Sequence, residues 1–140
     1  MIVLDTSGLL AALDAAQHHH EPARDVLADD PGPLLLSPFV LAELDYLLMD
    51  RVGPQAELAL LDEVAGGAYD LVPFGVDEIA TAAELVGRYG ELRIGLADAS
   101  VAVIAAAAKT TRLLTLDERH FRALRPLWGE AFTLLPADQL

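Results

Sequence analysis

The strongest constraint on the fold is a set of short apolar runs, each cut off by a polar residue at which helical sequence begins. Met1-Ile2-Val3-Leu4 stops at Asp5, Leu34-Leu35-Leu36 stops at Ser37, and a later run ends in Leu113-Leu114-Thr115. Such runs are too short to be helices and show no polar alternation, so they read as strands buried on both faces. Thr6 or Ser7 is expected to cap a helix through about Asp14; the polar connection Gln17–Pro22 leads to a helix ending near Asp29. Asp30-Pro31-Gly32-Pro33 is a turn into the second strand. Ser37 as N-cap and Pro38 as first helical residue predict a helix to about Arg51; Gly53-Pro54 ends it and starts another, to Gly66-Gly67. A strand at Tyr69–Pro73, a helix over Asp77–Tyr89 and a loop at Gly90–Gly95 follow. The Ala-rich helix Ala97–Ala108, the strand Arg112–Thr115, a short helix Glu118–Leu124 and a last strand Phe132–Leu135 complete the chain. Strand alternating with helix predicts one α/β domain over residues 1–140, a central parallel sheet of about four to five strands flanked by helices on both faces.

Composition narrows the function. The 140 residues are 54% hydrophobic, enough to bury a sizeable core and incompatible with intrinsic disorder. With no cysteine, disulfides, thiolate zinc sites, iron–sulfur clusters and cysteine nucleophiles are excluded. The longest apolar run, Val101–Ala108, is too short to span a bilayer, and Met1–Leu4 lacks the basic flank of a signal peptide. The expectation is a cytoplasmic protein without a membrane partner.

Nine Lys+Arg against 22 Asp+Glu give a net charge of −13, which on average repels phosphate. The average conceals an asymmetry. Residues 1–87 contain only Arg24 and Arg51 against 16 acids, whereas residues 88–140 hold seven basic residues against six acids. A polyanion is therefore expected on the later part of the chain.

Four acids stand at strand and helix ends, where open parallel sheets bind ligands. Asp5 follows the first strand, Asp117 follows Leu113-Leu114-Thr115 by two residues, Asp98 begins the Ala-rich helix, and Glu43 lies on the second turn after Ser37. Clustered carboxylates repel one another unless a cation neutralises them, and hard ions such as Mg²⁺ or Mn²⁺ suit oxygen ligands. Such a site favours phosphodiester hydrolysis through a metal-activated water. Helix geometry does not separate Glu43 from Asp45: both lie on flanks of the apolar stripe Val40, Leu41, Leu44, Leu47, Leu48. Taken singly, each acid also suits a solvated surface or cap position. Asp5 and Asp98 stand out because their surroundings are strongly apolar.

These residues lie in four segments that resemble the motifs of PIN-domain proteins: Ile2-Val3-Leu4-Asp5-Thr6-Ser7, Ser37-Pro38-Phe39-Val40-Leu41-Ala42-Glu43-Leu44, Gly95-Leu96-Ala97-Asp98-Ala99-Ser100, and Leu114-Thr115-Leu116-Asp117-Glu118-Arg119-His120-Phe121. Size and motif wording most resemble the VapC-type toxins of toxin–antitoxin pairs. The resemblance implies a PIN-like domain, a Mg²⁺- or Mn²⁺-dependent endoribonuclease, an RNA substrate, a cognate antitoxin and a homodimer. It further implies Asp5, Glu43, Asp98 and Asp117 as the catalytic metal-site acids, choosing Glu43 over Asp45, with Thr6 and Thr115 as supporting polar residues.

Other features have plainer readings. His18-His19-His20 suits a solvated loop, and His120 a cap or packing role, although it is within reach of the site as a proton carrier. Arg88 and Arg93 before Asp98, and Arg112 and Arg119 around Asp117, are candidate RNA contacts or surface residues balancing local acids. Phe39 and Tyr46 suit packing, and Ser7, without a His–Asp relay, is no nucleophile. Two other classes compete. A Mg²⁺-binding phosphoacceptor signalling domain wants a second acid beside Asp5 and a lysine near the last strand, and a haloacid-dehalogenase-like phosphatase wants an acid two residues after Asp5; neither is present. A catalytically inactive PIN-like binding module would not need all four acids.

Overall fold

The computed structural model describes residues 1–139; Leu140, the last residue of the expected domain, lies outside the described residues. Strands Ile2–Leu4 (β1), Leu34–Leu36 (β2), Asp70–Leu71 (β3), Arg112–Leu114 (β4) and Thr133–Leu135 (β5) form one sheet in the order β3-β2-β1-β4-β5. Every pairing is parallel, with Val3 opposite Leu35 on one side and Leu113 on the other. Ile2, Val3 and Leu4 are all completely buried. Successive strand side chains point to opposite faces, so the sheet is covered on both.

The helices are Thr6–Leu13 (α1), His20–Asp29 (α2), Pro38–Arg51 (α3), Pro54–Ala65 (α4), Val76–Arg88 (α5), Leu96–Ala108 (α6) and Glu118–Ala123 (α7), with a 3-10 turn at Gly90–Leu92. From β1 the chain travels outward through β2 to β3, then returns past β1 to β4 and β5. With right-handed crossovers, this reversal sets the helices on both faces. It also opens a crevice beyond the carboxyl ends of β1 and β4, the switch point at which sheets of this kind bind ligands.

Three local expectations need correction. The N-cap of α1 is Asp5, in extended conformation, and Thr6 and Ser7 are the first two helical residues. Helix α2 begins at His20, inside the expected Gln17–Pro22 connection, because a proline is tolerated in the first turn, where the N–H is unpaired anyway. Of the expected strand Tyr69–Pro73 only Asp70–Leu71 pairs, at the sheet edge, where Pro73 has no N–H with which to extend the ladder.

Ser37 caps α3 as the sequence predicts: its Oγ accepts the N–H groups of Phe39 and Val40 at 3.1 and 3.5 Å. The same hydroxyl lies 2.6 Å from Ser100 Oγ, which donates to the Ala97 carbonyl at 2.7 Å, so Ser37 supplies the hydrogen between them. This buried chain fixes the start of α3 against the first turn of α6. Glu43 and Asp98 are carried by those two helices.

Close approach at the crevice rests on Gly8. A Cβ there would lie 2.4 Å from the Leu114 carbonyl oxygen and 2.7 Å from the Thr115 nitrogen, both backbone atoms that cannot swing aside. Gly8→Ala is expected to lower unfolding free energy by about 1–3 kcal/mol in urea titrations. Gly87→Ala in α5, where an added Cβ meets nothing within 4 Å, is expected to leave stability unchanged or raise it by up to about 1 kcal/mol.

Candidate active site

Because Asp5 directly follows the buried β1, its carboxyl is carried into the crevice while its surroundings stay apolar; the residue is only 3% exposed. Two hydroxyls hold it. Thr115 Oγ1 donates to Asp5 Oδ2 at 2.7 Å and accepts the Asp117 N–H at 3.0 Å. Ser7 Oγ donates to the same Oδ2 at 3.0 Å and accepts the Leu116 N–H at 3.0 Å. Each hydroxyl thus relays a backbone donor of the 115–117 segment to one carboxylate oxygen, fastening the end of β4 to the end of β1. Ser7, read from sequence as a cap, is a holder of Asp5.

The other acids arrive from three helices. Thr6 Oγ1 donates to Glu43 Oε1 at 2.7 Å, bridging α1 to α3. Asp98, third residue of α6, accepts the Gly95 N–H at 3.4 Å, the half of a capping box that a glycine cap permits. Asp117 caps α7, accepting the His120 N–H at 3.0 Å. Asp5, Glu43, Asp98 and Asp117 line one open cleft of about 350 Å³ together with Thr6, Ser7, Leu10, Gln17, Leu47, Arg51 and Leu116. Asp45 is elsewhere: it faces Glu57 of α4, whose carboxyl this acidic neighbour holds above its usual range. Side-chain rotation about α3, which the apolar stripe leaves ambiguous, thereby assigns Glu43 to the cleft.

Among the described residues, none of the four acids makes an ion pair with lysine or arginine. Burial pushes the Asp5 carboxyl up to about 6; the hydrogen bond from Thr115 opposes this, and the charge of Asp98 adds to it. Asp98 is also raised, first by burial and further by Asp117 and Glu43, against the lowering effects of the Gly95 N–H and His120. A donor set of four converging carboxylates, two of them resisting ionisation, fits a hard divalent cation.

His120 closes one side of the group. Its Nδ1 lies 2.8 Å from Asp117 Oδ2 and 3.6 Å from Asp98 Oδ2, and its Nε2 lies 2.9 Å from the Leu92 carbonyl. Sequence reasoning also passed over Arg51, although its spacing was a usable signal. Glu43, Leu47 and Arg51 recur every fourth residue along one face of α3, and all three line the cleft. Of the arginines expected near RNA, Arg88, Arg93 and Arg119 are exposed, Arg93 directly following Leu92 and Arg119 directly preceding His120. Arg112 does not join them. It opens β4 at the far end of the sheet and pairs with Asp30 at 3.1 Å, beside the N-terminal ammonium at 3.0 Å. The side chain that begins a parallel strand cannot reach the cleft at the strand's carboxyl end. Phe39 packs edge-on against Phe74 at 5.2 Å, whereas Tyr46 is exposed; His20 Nδ1 meets the Ala11 carbonyl at 2.8 Å, leaving His18 and His19 exposed.

An acid whose folded-state value exceeds its unfolded one binds its proton more tightly when folded, so its contribution is full below the unfolded value and is lost as pH rises through the folded one. For Asp5 that window runs from its ordinary value of 3.8 to about 6. In EDTA, the wild-type protein is expected to lose about 2.4 kcal/mol more than Asp5→Asn between pH 4 and pH 7.5, read from urea unfolding at each pH.

Comparisons with known proteins agree with this architecture. The family model described as the PIN domain matches residues 2–125. Ribonuclease VapC26 of Mycobacterium tuberculosis is 48% identical over 135 residues, spanning 96% of this chain and all of that protein. Among solved structures, VapC20 of Mycobacterium tuberculosis, described as a sarcin-ricin loop cleaving toxin, superposes with a TM-score of 0.80 at 22% identity, covering 92% of this chain and all of that one. FitAcB from Neisseria gonorrhoeae superposes with a TM-score of 0.64, also at 22% identity, over 89% of this chain and 93% of that one. At that identity the two structures speak for the fold alone.

Proposed function

The chain belongs to the PIN-domain family, and from that membership we propose that it is a Mg²⁺- or Mn²⁺-dependent endoribonuclease of the VapC toxin type. The observation that carries the reading is the convergence of Asp5, Glu43, Asp98 and Asp117 in one cleft with no lysine or arginine paired to them among the described residues. The near-full-length likeness to a ribonuclease supports RNA as the substrate.

In this reading the four acids are the metal ligands, and Thr6, Thr115 and Ser7 hold them in place. A divalent ion bound there would offset their charge, polarise the scissile phosphate and lower the cost of deprotonating an attacking water. The chain's own residues do the positioning. Thr115 and Ser7 aim Asp5 from the β4 side, Thr6 aims Glu43, and the Gly95 N–H aims Asp98. Arg51, two helical turns from Glu43 and about 12 Å along α3, offers a guanidinium to a neighbouring phosphate of the same RNA strand. Arg93 and Arg119, beside Leu92 and His120, are the corresponding candidates on the α6–α7 side, with Arg88 at the end of α5 a third; Arg112 is left out because it pairs with Asp30. The toxin would act in the cytoplasm as a homodimer, with residues 1–140 forming one domain and a cognate antitoxin covering the acid cleft. No described helix is long and apolar enough to cross a membrane.

Purified protein freed of any partner is expected to cut structured RNA when Mg²⁺ or Mn²⁺ is supplied and to stop on chelation. Asp98→Asn is expected to reduce the rate to roughly a hundredth or less, and Thr115→Val to lower it about 10–100-fold through loss of its hold on Asp5. Cleavage surviving Asp98→Asn would overturn the mechanism, and metal binding without cleavage of any RNA would favour an inactive binding module. In the Asp98→Asn background, Arg51→Ala is expected to weaken RNA binding and to reduce the slope of log K against log salt by about 0.7, the value for one lost single-strand phosphate contact. Arg24→Ala is expected to change neither.

A further inference from the structure

We infer that His120 is itself a metal ligand, through Nδ1, and that this nitrogen biases the site towards Mn²⁺ over Mg²⁺. The inference rests on the metal-dependent reading above and adds a fifth donor of different chemistry.

The Leu92 carbonyl fixes one end of the His120 ring. A carbonyl oxygen only accepts, so the imidazole nitrogen 2.9 Å from it, Nε2, carries a hydrogen and is not available to an ion. Nδ1 is then the nitrogen left to face an ion, and it lies 2.8 Å from Asp117 Oδ2 and 3.6 Å from Asp98 Oδ2. Both carboxylates only accept, so a cation must stand at Nδ1: either a proton donated to Asp117, or a metal ion that takes its place among the three groups. Three features make the arrangement a built one. One ligand atom each from Asp98, Asp117 and His120 lie within 4.8 Å of one another. The two nitrogen–oxygen separations bracket the spacing of about 3 Å between adjacent ligands of an octahedral ion with bonds of about 2.1 Å. The ring's far nitrogen is anchored on a backbone carbonyl, the usual partner that fixes the tautomer of a metal-binding histidine. Leu92 belongs to the 3-10 turn Gly90–Leu92 that leads into α6, so the same bond that orients the ring also ties the approach to Asp98 to helix α7.

An imidazole ligand changes which ion is preferred. Mg²⁺ holds to oxygen donors and water, whereas first-row transition ions accept imidazole nitrogen more readily. A ring that merely hydrogen-bonded Asp117 would leave the ion with oxygen ligands only and produce no such preference.

The test is the electron spin-echo modulation of Mn²⁺ bound to the chelator-stripped protein, which reports nitrogen directly coordinated to manganese whether or not RNA is cut. The wild type is expected to give a ¹⁴N modulation that converts to the ¹⁵N pattern when histidine alone is ¹⁵N-labelled. His120→Gln is expected to bind Mn²⁺ without that modulation, with Mn²⁺ affinity reduced about 10-fold or more and Mg²⁺ affinity reduced less. A triple variant of His18, His19 and His20 to Gln is expected to keep it. The labelling experiment needs no variant, so a poorly folded His120→Gln would not shield the inference. Mn²⁺ bound to the wild type with no histidine modulation, or a modulation surviving His120→Gln, would overturn the role of His120 while leaving the four-acid reading intact. Failure of the wild type to bind Mn²⁺ would overturn both.

Discussion

Four carboxylates held in one cleft, none of them ion-paired to an arginine or lysine among the described residues, constitute the interaction around which the rest of this structure is arranged. Left to themselves, such groups would move apart or take up protons, and Asp5 and Asp98, raised first by burial and further by their acidic neighbours, show part of that pressure. The fold resists it by construction. The reversal of strand order sets β1 beside β4, Gly8 lets α1 approach the end of β4 at backbone distance, and the Ser37–Ser100 pair fixes α3 against α6. Each device joins two elements that carry different acids. The two hydroxyl relays onto Asp5 complete the arrangement by turning backbone N–H groups of the 115–117 segment into support for a buried carboxylate.

Where the sequence was legible, it was because the signal was local. Three consecutive leucines followed by Ser37-Pro38 specify a strand, a cap and a helix start within five residues, and the structure has all three. The parallel sheet follows from uninterrupted apolar strands, and Asp5 and Asp98 stood out because apolar neighbours surround them. What stayed hidden depends on rotation or on distant partners. Glu43 and Asp45 flank the same stripe, and only the packing of α3 between α1 and α4 sends one to Thr6 and the other to Glu57. His120 looked like a cap residue because nothing in a linear reading connects it to a carbonyl 28 residues earlier. Ser7 was read as a cap for the same reason, since the Leu116 N–H it accepts lies 109 residues away.

The charge distribution gains a sharper meaning. The net −13 does not keep a polyanion away so much as restrict its path. The basic residues of the last third do not act as one face: Arg112 secures Asp30 and the N-terminus at the far end of the sheet, and Arg122 bridges Glu118 and Asp138. What remains near the acids is Arg51, which lines the cleft, with Arg93 and Arg119 exposed beside Leu92 and His120, and the proposed RNA path runs between them.

The most direct measurement of the central claim is the location of bound manganese. Crystals grown or soaked with Mn²⁺ and measured near its absorption edge should give an anomalous peak within bonding distance, about 2.2 Å, of carboxylate oxygens from at least two of Asp5, Asp98 and Asp117. A peak confined to acids outside the cleft, such as Asp45 and Glu57, or no peak in the cleft at saturating Mn²⁺, would contradict the account.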